Sequence, residues 1–450
     1  MERENTIQQA LRHGQSIWCD FLSRSLLRSG ELDDMIRMGV RGVTTNPSIF
    51  EKAIGQTNDY DEDILAYVRQ GRNREEIYTA LTVADVREGA DHFLSVYETS
   101  GGGDGFVSLE VSPMIAHDME ATVKEAKALA ELVDRKNVMI KIPATPAGVQ
   151  ALRRCTAEGL CINATLIFSR HQYRDVATAY IEGLEERQTQ GGDLTSVASV
   201  ASLFVSRIDT AVDKALQEKG ERDLLGRIAV DNARAAYRDF EELFSSARWR
   251  ALEGAGAKVQ RPLWASTGTK NPDYSRTLYV DSLIGPNTVN TVPPETMKAF
   301  LSSGCAAETV TDDRQGMERR LAILEAVGVH LDEITARLLV EGLDAFETAY
   351  LSLLDGIGKK GRALSYYEEV AKGGTGFIIV GASSPGVRAP LAPPLYLRPS
   401  HDERRPRMTP GSSCFKAVPG SAWLLLALSV GSAAIHPRGA HSGMKDDTVI

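Results

Sequence analysis

The chain has 450 residues, 43% hydrophobic and 25% charged, which fits one large α/β domain with additions or two ordinary domains. A formal net charge of −9 gives no basic footprint for nucleic acid, so an anionic ligand needs a local cluster of cations. Five cysteines without a C-x-x-C pair argue against a disulfide framework or a cysteine zinc site and fit a reducing cytoplasm.

The opening residues, MERENTIQQALRHG, are charged and lack a signal h-region. Short apolar runs then alternate with helical patterns. The first predicted strand is 16–21 (SIWCDF); a helix over 31–38 and a glycine turn lead to the second, 42–46 (GVTTN). After a long helical insertion comes the third, 105–111 (GFVSLEV). The GGGDG at 101–105 precedes this strand rather than following one, so it reads as a turn and not as a phosphate loop. The fourth and fifth strands are 137–143 (NVMIKIP) and 161–168 (CINATLIF), set between helices over 119–132, 146–156 and 172–186. The sixth, seventh and eighth are 199–205 (SVASLFV), 262–266 (PLWAS) and 287–292 (NTVNTV). Helical patterns follow over 332–354 and 363–371, then the apolar run GTGFIIV. From about Gly381 the chain turns rich in Pro, Arg and Ser and reads as disorder. Its apolar run at 422–430 is too short to span a bilayer.

Strands alternating with helices give a parallel sheet, and eight such units argue for a closed (β/α)8 TIM barrel with helical insertions. A doubly wound sheet is the alternative, but no dinucleotide fingerprint follows the first strand. The expected division is a barrel with C-terminal helices over 1–380 and a tail over 381–450.

In a barrel the C-terminal ends of the strands carry the chemistry. Those ends are unusually polar here. Asp20 lies near the end of the first strand, Asn46 closes the second and Glu110 lies near the end of the third. Lys141 sits in the second half of the fourth, Asn163 and Thr165 share a face of the fifth, and Ser202 is on the sixth with Arg207 just past it. Ser266 closes the seventh, and Lys270 follows in its loop. Some of these types have plain uses: Asn46 before Pro47 suits a turn, and Thr165 suits any strand. Lys141 is harder to dismiss. An ammonium among isoleucines is costly to bury unless it is paired or gives up its charge, and a neutral amine is available for Schiff-base chemistry. His117 and His171 lie beyond strand ends, and no His/Asp/Glu group has metal spacing, so no metal and no cofactor are expected. These features alone reach as far as a Schiff-base lyase or transferase acting on a sugar phosphate.

With GVTTNPSIF (42–50), SLEVSP (108–113), VMIKIPAT (138–145), INATLIFS (162–169) and ASLFVSRID (201–209), the chain resembles the transaldolase family over residues 7–380. The seventh-strand sequence WASTGTKNP is similar to that of the longer bacterial transaldolases, some of which are fused to a glucose-6-phosphate isomerase that is not recognisable here. The resemblance implies a barrel of the class I aldolase type whose Schiff-base lysine is Lys141. It further implies Asp20, Glu110 and Thr165 as catalytic groups and Asn46, Asn163, Ser202 and Arg207 as substrate contacts. Glu110 would move protons during dehydration of the carbinolamine through a water held by Thr165, and Asp20 would take the proton from the C4 hydroxyl. Arg207 suits a phosphate because its guanidinium binds oxygens as a fork; Ser266 and Lys270 are further candidates. The implied reaction transfers a dihydroxyacetone unit from sedoheptulose 7-phosphate to glyceraldehyde 3-phosphate, giving erythrose 4-phosphate and fructose 6-phosphate. The rival within the resemblance is a fructose-6-phosphate aldolase that releases free dihydroxyacetone. Sugar phosphates are the expected partners, with no nucleic acid and no membrane; the sequence leaves open whether the chain forms a homo-oligomer.

Overall fold

The computed structural model describes residues 4–372. Eight parallel strands close into a barrel in sequence order: β1 (Gln15–Cys19), β2 (Gly42–Val43), β3 (Phe106–Glu110), β4 (Val138–Pro143), β5 (Ile162–Ile167), β6 (Ser199–Phe204), β7 (Gln260–Ala265) and β8 (Thr288–Val292), with β8 pairing back onto β1. All eight predicted strands are present. Nearly every strand residue is buried, as expected where side chains fill the barrel on one face and meet helices on the other. The compact unit Met1–Arg362 carries the barrel and every residue of the site described below. Among the described residues no helix is long and apolar enough to cross a membrane.

Three features of the strand tops shape the site. Each of the helices Pro47–Gly55, Pro146–Ala157 and Arg170–Thr189 begins with a side-chain cap, from Asn46, Thr145 and Ser169 respectively. Proline at the first helical position adds a fixed φ in the first two. β5 is bulged: Ala164 to Ile167 on β5 spans Ala201 to Leu203 on β6, and Leu166 takes φ +57°. Such an extra residue bends the strand and re-aims its neighbours, here directly after Thr165.

Two elements differ from expectation. β2 is shorter than 42–46: pairing ends at Val43, and Asn46, in extended conformation, caps the next helix. The helices predicted over 332–354 and 363–371 are one helix, Leu331–Lys372. Gly356, Gly358 and Gly361 fall between the two predicted stretches, and each costs about 1 kcal/mol relative to alanine. Burial of Leu338, Leu343, Phe346, Leu353, Leu354 and Ile357 offsets that cost. Gly361 also serves packing, since a Cβ there would lie 2.8 Å from Val68. The apolar run 374–380, the tail 381–450 and Cys414 lie outside the described residues.

Candidate active site

Strand register brings the central residues together. Lys141 on β4 stands beside Glu110 on β3 and Asn163 on β5. Neighbours in register on parallel strands point to the same side, so the three form one row inside the barrel. Lys141 is 4% exposed; its Nζ donates to the Thr45 carbonyl at 3.1 Å and lies 3.4 Å from Glu110 Oε2. The buried lysine is therefore an ion-paired one, held by the end of β2 and by β3.

Glu110 is the less comfortable partner. Apart from the Lys141 ammonium at 3.4 Å, no hydrogen-bond donor among the described residues reaches its carboxylate oxygens. Burial pushes its carboxyl up to about 7, against the pull of the Lys141 charge and with some help from Asp20. A carboxyl that titrates near neutrality can both give and take a proton under working conditions. Thr165 Oγ1 is buried and has no hydrogen-bond partner among the described residues. Thr165 is two residues beyond Asn163 on β5, so both face the barrel interior.

Asn163 is fixed by two serines. Its Nδ2 donates to Ser108 Oγ at 3.0 Å, and Ser202 Oγ donates to its Oδ1 at 2.7 Å. This sets the amide orientation and leaves one Nδ2 hydrogen for a ligand.

Asp20 follows β1, anchored by its backbone N–H on the Val292 carbonyl at 2.9 Å. Thr44 donates its hydroxyl proton to Asp20 Oδ1 at 2.7 Å, and the Thr44 and Thr291 hydroxyl oxygens are 2.5 Å apart. Thr44 has one proton to give, so Thr291 donates to Thr44 and the chain runs Thr291 to Thr44 to Asp20. Burial raises the Asp20 carboxyl above its ordinary range; the nearby Lys141 charge, then the Thr44 hydrogen bond, oppose the rise. Asn46 does not close a strand as expected. Its Oδ1 accepts the Ile49 N–H at 3.0 Å as a helix cap, which leaves its Nδ2 free to face a ligand.

A cavity of about 160 Å³ opens above this row, with Asp20, Asn46, Lys141, Ser202, Arg207, Ser266 and Lys270 among its lining residues. Glu110, Asn163 and Thr165 are buried and do not line it. Arg207 begins the helix that follows β6, half-buried, its guanidinium carbon 5.4 Å from the centre of the Phe204 ring. Among the described residues no carboxylate lies within ion-pair distance of it, so its fork is free for an anion. Burial lowers its proton affinity and Glu341 partly restores it; an arginine stays charged regardless. Ser266 adopts φ +54°, its hydroxyl 3.0 Å from that of Ser206, and Lys270 is exposed at the rim.

Thr44, Thr291, Ser108 and Phe346 also belong to this site and were not singled out from the sequence. Alternation gives a signal for two of them: Thr44 is two residues before Asn46, and Ser108 two before Glu110. Phe346 comes from the helix Leu331–Lys372, far along the chain, and nothing local marks it.

Residues 17–357 match the family model for transaldolase/fructose-6-phosphate aldolase. A protein named transaldolase from Trichodesmium erythraeum is 44% identical over 371 residues, covering 78% of this chain and 96% of that protein. Transaldolase 1 of Streptomyces avermitilis is 47% identical over 361 residues, covering 78% of this chain and 96% of its own length. A transaldolase from Neisseria gonorrhoeae is 46% identical over 341 residues, covering 76% and 96% respectively.

Proposed function

The chain belongs to the transaldolase/fructose-6-phosphate aldolase family, and from that premise we propose that it transfers a dihydroxyacetone unit through a Schiff base on Lys141. The donor is sedoheptulose 7-phosphate and the acceptor glyceraldehyde 3-phosphate; erythrose 4-phosphate and fructose 6-phosphate are the products. The observation that carries the reading is a buried lysine amine 3.4 Å from a carboxyl that titrates at about 7.

Neutral Lys141 attacks the donor's ketone carbon. Glu110 in its acid form protonates the departing hydroxyl of the carbinolamine, and an iminium forms. Thr165, unpaired among the described residues and on the same face of β5 as Asn163, is suited to orient the proton transfer. Asp20 takes the proton from the C4 hydroxyl, the C3–C4 bond breaks, and its electron pair enters the iminium to give an enamine. Thr44 occupies Asp20 Oδ1 and leaves Oδ2 for the substrate. Asn46 and Asn163 offer amide hydrogens to the hydroxyls of the three-carbon fragment, and Ser202 holds the Asn163 amide. Arg207 receives the phosphate, with Ser266 and Lys270 beside it at the cavity wall. The acceptor aldehyde then runs the same steps backwards.

The relatives named transaldolase favour transfer over release of free dihydroxyacetone. The five cysteines without a C-x-x-C pair support a cytoplasmic setting. Borohydride reduction in the presence of fructose 6-phosphate, followed by peptide mapping, tests the central claim. The adduct is expected on Lys141 and absent from folded Lys141→Ala; an adduct on another lysine, or none, overturns it.

A further inference from the structure

The two cations that face the phosphate come from different elements. Arg207 lies in the first turn of the helix Ser206–Glu218, and Lys270 lies in the loop after β7; both line the catalytic cavity and the outer groove beside it. Burial raises the Asp20 carboxyl, and among the charges that oppose the rise Lys141 comes first and Lys270 second, so the Lys270 ammonium is felt inside the cavity. Two anchors hold the loop. At its inner end the Ser206 N–H donates to the Ser266 carbonyl at 3.0 Å, and Thr267 Oγ1 donates to the Thr291 carbonyl at 3.0 Å. At its outer end Tyr274 donates its hydroxyl proton to Asp213 Oδ2 at 2.7 Å, and Asp213 belongs to the same helix as Arg207. Asp213 is buried and fully engaged, since its Oδ1 accepts the Gly226 N–H at 3.0 Å. Gly226, at φ +68°, lets the Tyr274 ring come close: a Cβ there would lie 2.8 Å from it. The loop is also tied across itself. Thr269 Oγ1 donates to the Ser275 carbonyl at 2.8 Å, and the Tyr274 N–H donates to the Asn271 carbonyl at 3.2 Å, so Lys270 is coupled to the position of Tyr274.

We propose that Tyr274 and Asp213 are positioning residues that hold Lys270 beside Arg207, so that both cations grip one substrate phosphate. The inference rests on the phosphate seat read above. Lys270 is long and exposed, and fixing such a side chain only when the ligand arrives costs rotamer entropy. A loop already pinned to the helix that carries Arg207 lowers that cost, because the two cations start from a set spacing. Tyr274 and Asp213 touch no reacting atom in this scheme; they act through Lys270. The part of Tyr274 that matters is its hydroxyl. Phenylalanine keeps the ring against Gly226 and loses only the bond to the helix.

The test is steady-state transfer from fructose 6-phosphate to erythrose 4-phosphate and, separately, to unphosphorylated erythrose. Tyr274→Phe should raise the KM for erythrose 4-phosphate about fivefold, with kcat and the KM for erythrose each within about twofold of the wild type. Lys270→Ala should raise the KM for erythrose 4-phosphate at least as much. In the Lys270→Ala background, adding Tyr274→Phe should change that KM by less than about twofold, because the group it acts through is gone. An unchanged KM in Tyr274→Phe overturns the proposal, as does an equal rise for erythrose, which assigns the effect to a loosened barrel. A further fivefold rise in the double variant also overturns it, since Tyr274 then acts by another route. If Tyr274→Phe does not fold, Tyr274→Phe with Asp213→Asn replaces it, leaving no buried charge without its donor, and is read by the same outcomes. An Arg207→Lys variant with an unchanged KM for erythrose 4-phosphate would sink the phosphate seat and this inference with it. A raised KM in Arg207→Lys with a flat Tyr274→Phe would sink this inference alone.

Discussion

Replacing Glu110 by glutamine should stabilise the fold at alkaline pH while slowing the first chemical step. The carboxyl is 4% exposed, has only the Lys141 ammonium at 3.4 Å near it among the donors of the described residues, and titrates at about 7 instead of its ordinary 4.5. An acid with a raised folded-state pKa destabilises the fold once ionised. Below 4.5 both the folded and unfolded chains hold the proton, and there is no cost. Between 4.5 and about 7 the unfolded chain releases the proton and the folded chain keeps it, so stability falls as pH rises. Above 7 the cost is constant. At about 1.4 kcal/mol per pH unit, it amounts to about 3 kcal/mol at pH 8. The same linkage leaves about 1 kcal/mol at pH 5. Glutamine is uncharged throughout, so Glu110→Gln should gain about 3 kcal/mol over the wild type at pH 8 and about 1 kcal/mol at pH 5. Urea unfolding at the two pH values measures this directly. In the same variant, rapid-quench imine formation should be slow and should lose the limb that descends through about pH 7 in the wild type. A gain that does not change with pH, or a loss of stability at pH 8, would refute the claim that burial holds this carboxyl protonated.

Thr44→Val removes the hydroxyl donor to Asp20, so the carboxyl should rise further and the acid limb of C–C cleavage should move to higher pH. A hydrogen bond to a charged group is worth about 1.5–3 kcal/mol, or about one to two pH units, and Thr44→Ser should restore the wild-type profile in rapid-quench cleavage assays. Arg207→Lys keeps the charge but loses the fork, and the KM for phosphorylated donors should rise about tenfold for a loss near 1.4 kcal/mol. Steady-state kinetics with unphosphorylated glyceraldehyde as acceptor should show no matching rise in the KM of the acceptor. Removing 381–450 should leave kcat within about twofold of the full chain, since no group invoked in the chemistry lies there. A large fall in kcat with an intact circular dichroism spectrum would show that the tail takes part.

The barrel was legible because its strands are short apolar runs separated by strong helical patterns, and the period change is a local property of the chain. The row Glu110–Lys141–Asn163 was legible for the same reason: a charged or amide side chain stands out against isoleucine and valine. What could not be read were partnerships. Asn46 is one example; its side chain was expected on a strand, but proline at the next position makes it a helix cap. The gap between the helices expected over 332–354 and 363–371 holds Gly356, Gly358 and Gly361, yet the helix runs through it. Their local cost is real, but long-range burial along the helix outweighs it, and no window of sequence contains that sum. Phe346 is the extreme case, an ordinary core-like aromatic whose significance comes only from what lies beneath it.

Polarity inside a barrel does not by itself mark chemistry, and this molecule contains its own control. Toward the N-terminal ends of the strands, Asp104 accepts from Ser16 Oγ at 2.5 Å, Trp18 Nε1 at 3.0 Å and Arg261 Nη1 at 3.1 Å. Arg261 also donates to Ser16 Oγ at 2.6 Å and to the carbonyls of Thr288 and Gly103 at 2.7 and 3.0 Å. Both carboxylate oxygens and the guanidinium are engaged, so that network is closed and holds β1, β7 and β8 to the turn before β3. At the opposite end, Lys141 has one carbonyl and the ion pair with Glu110, while Glu110 Oε1 and Thr165 Oγ1 have no hydrogen-bond partner among the described residues. A buried group left unsatisfied costs about 1–3 kcal/mol, and more if it is charged, so an under-bonded buried carboxyl is the costliest case. Unsatisfied oxygens occur toward the N-terminal end too, on Gln15, Asn137 and Gln260, but those belong to neutral amides; the under-bonded carboxyl of Glu110 beside the Lys141 amine is what sets the opposite end apart from the filled Asp104–Arg261 scaffold.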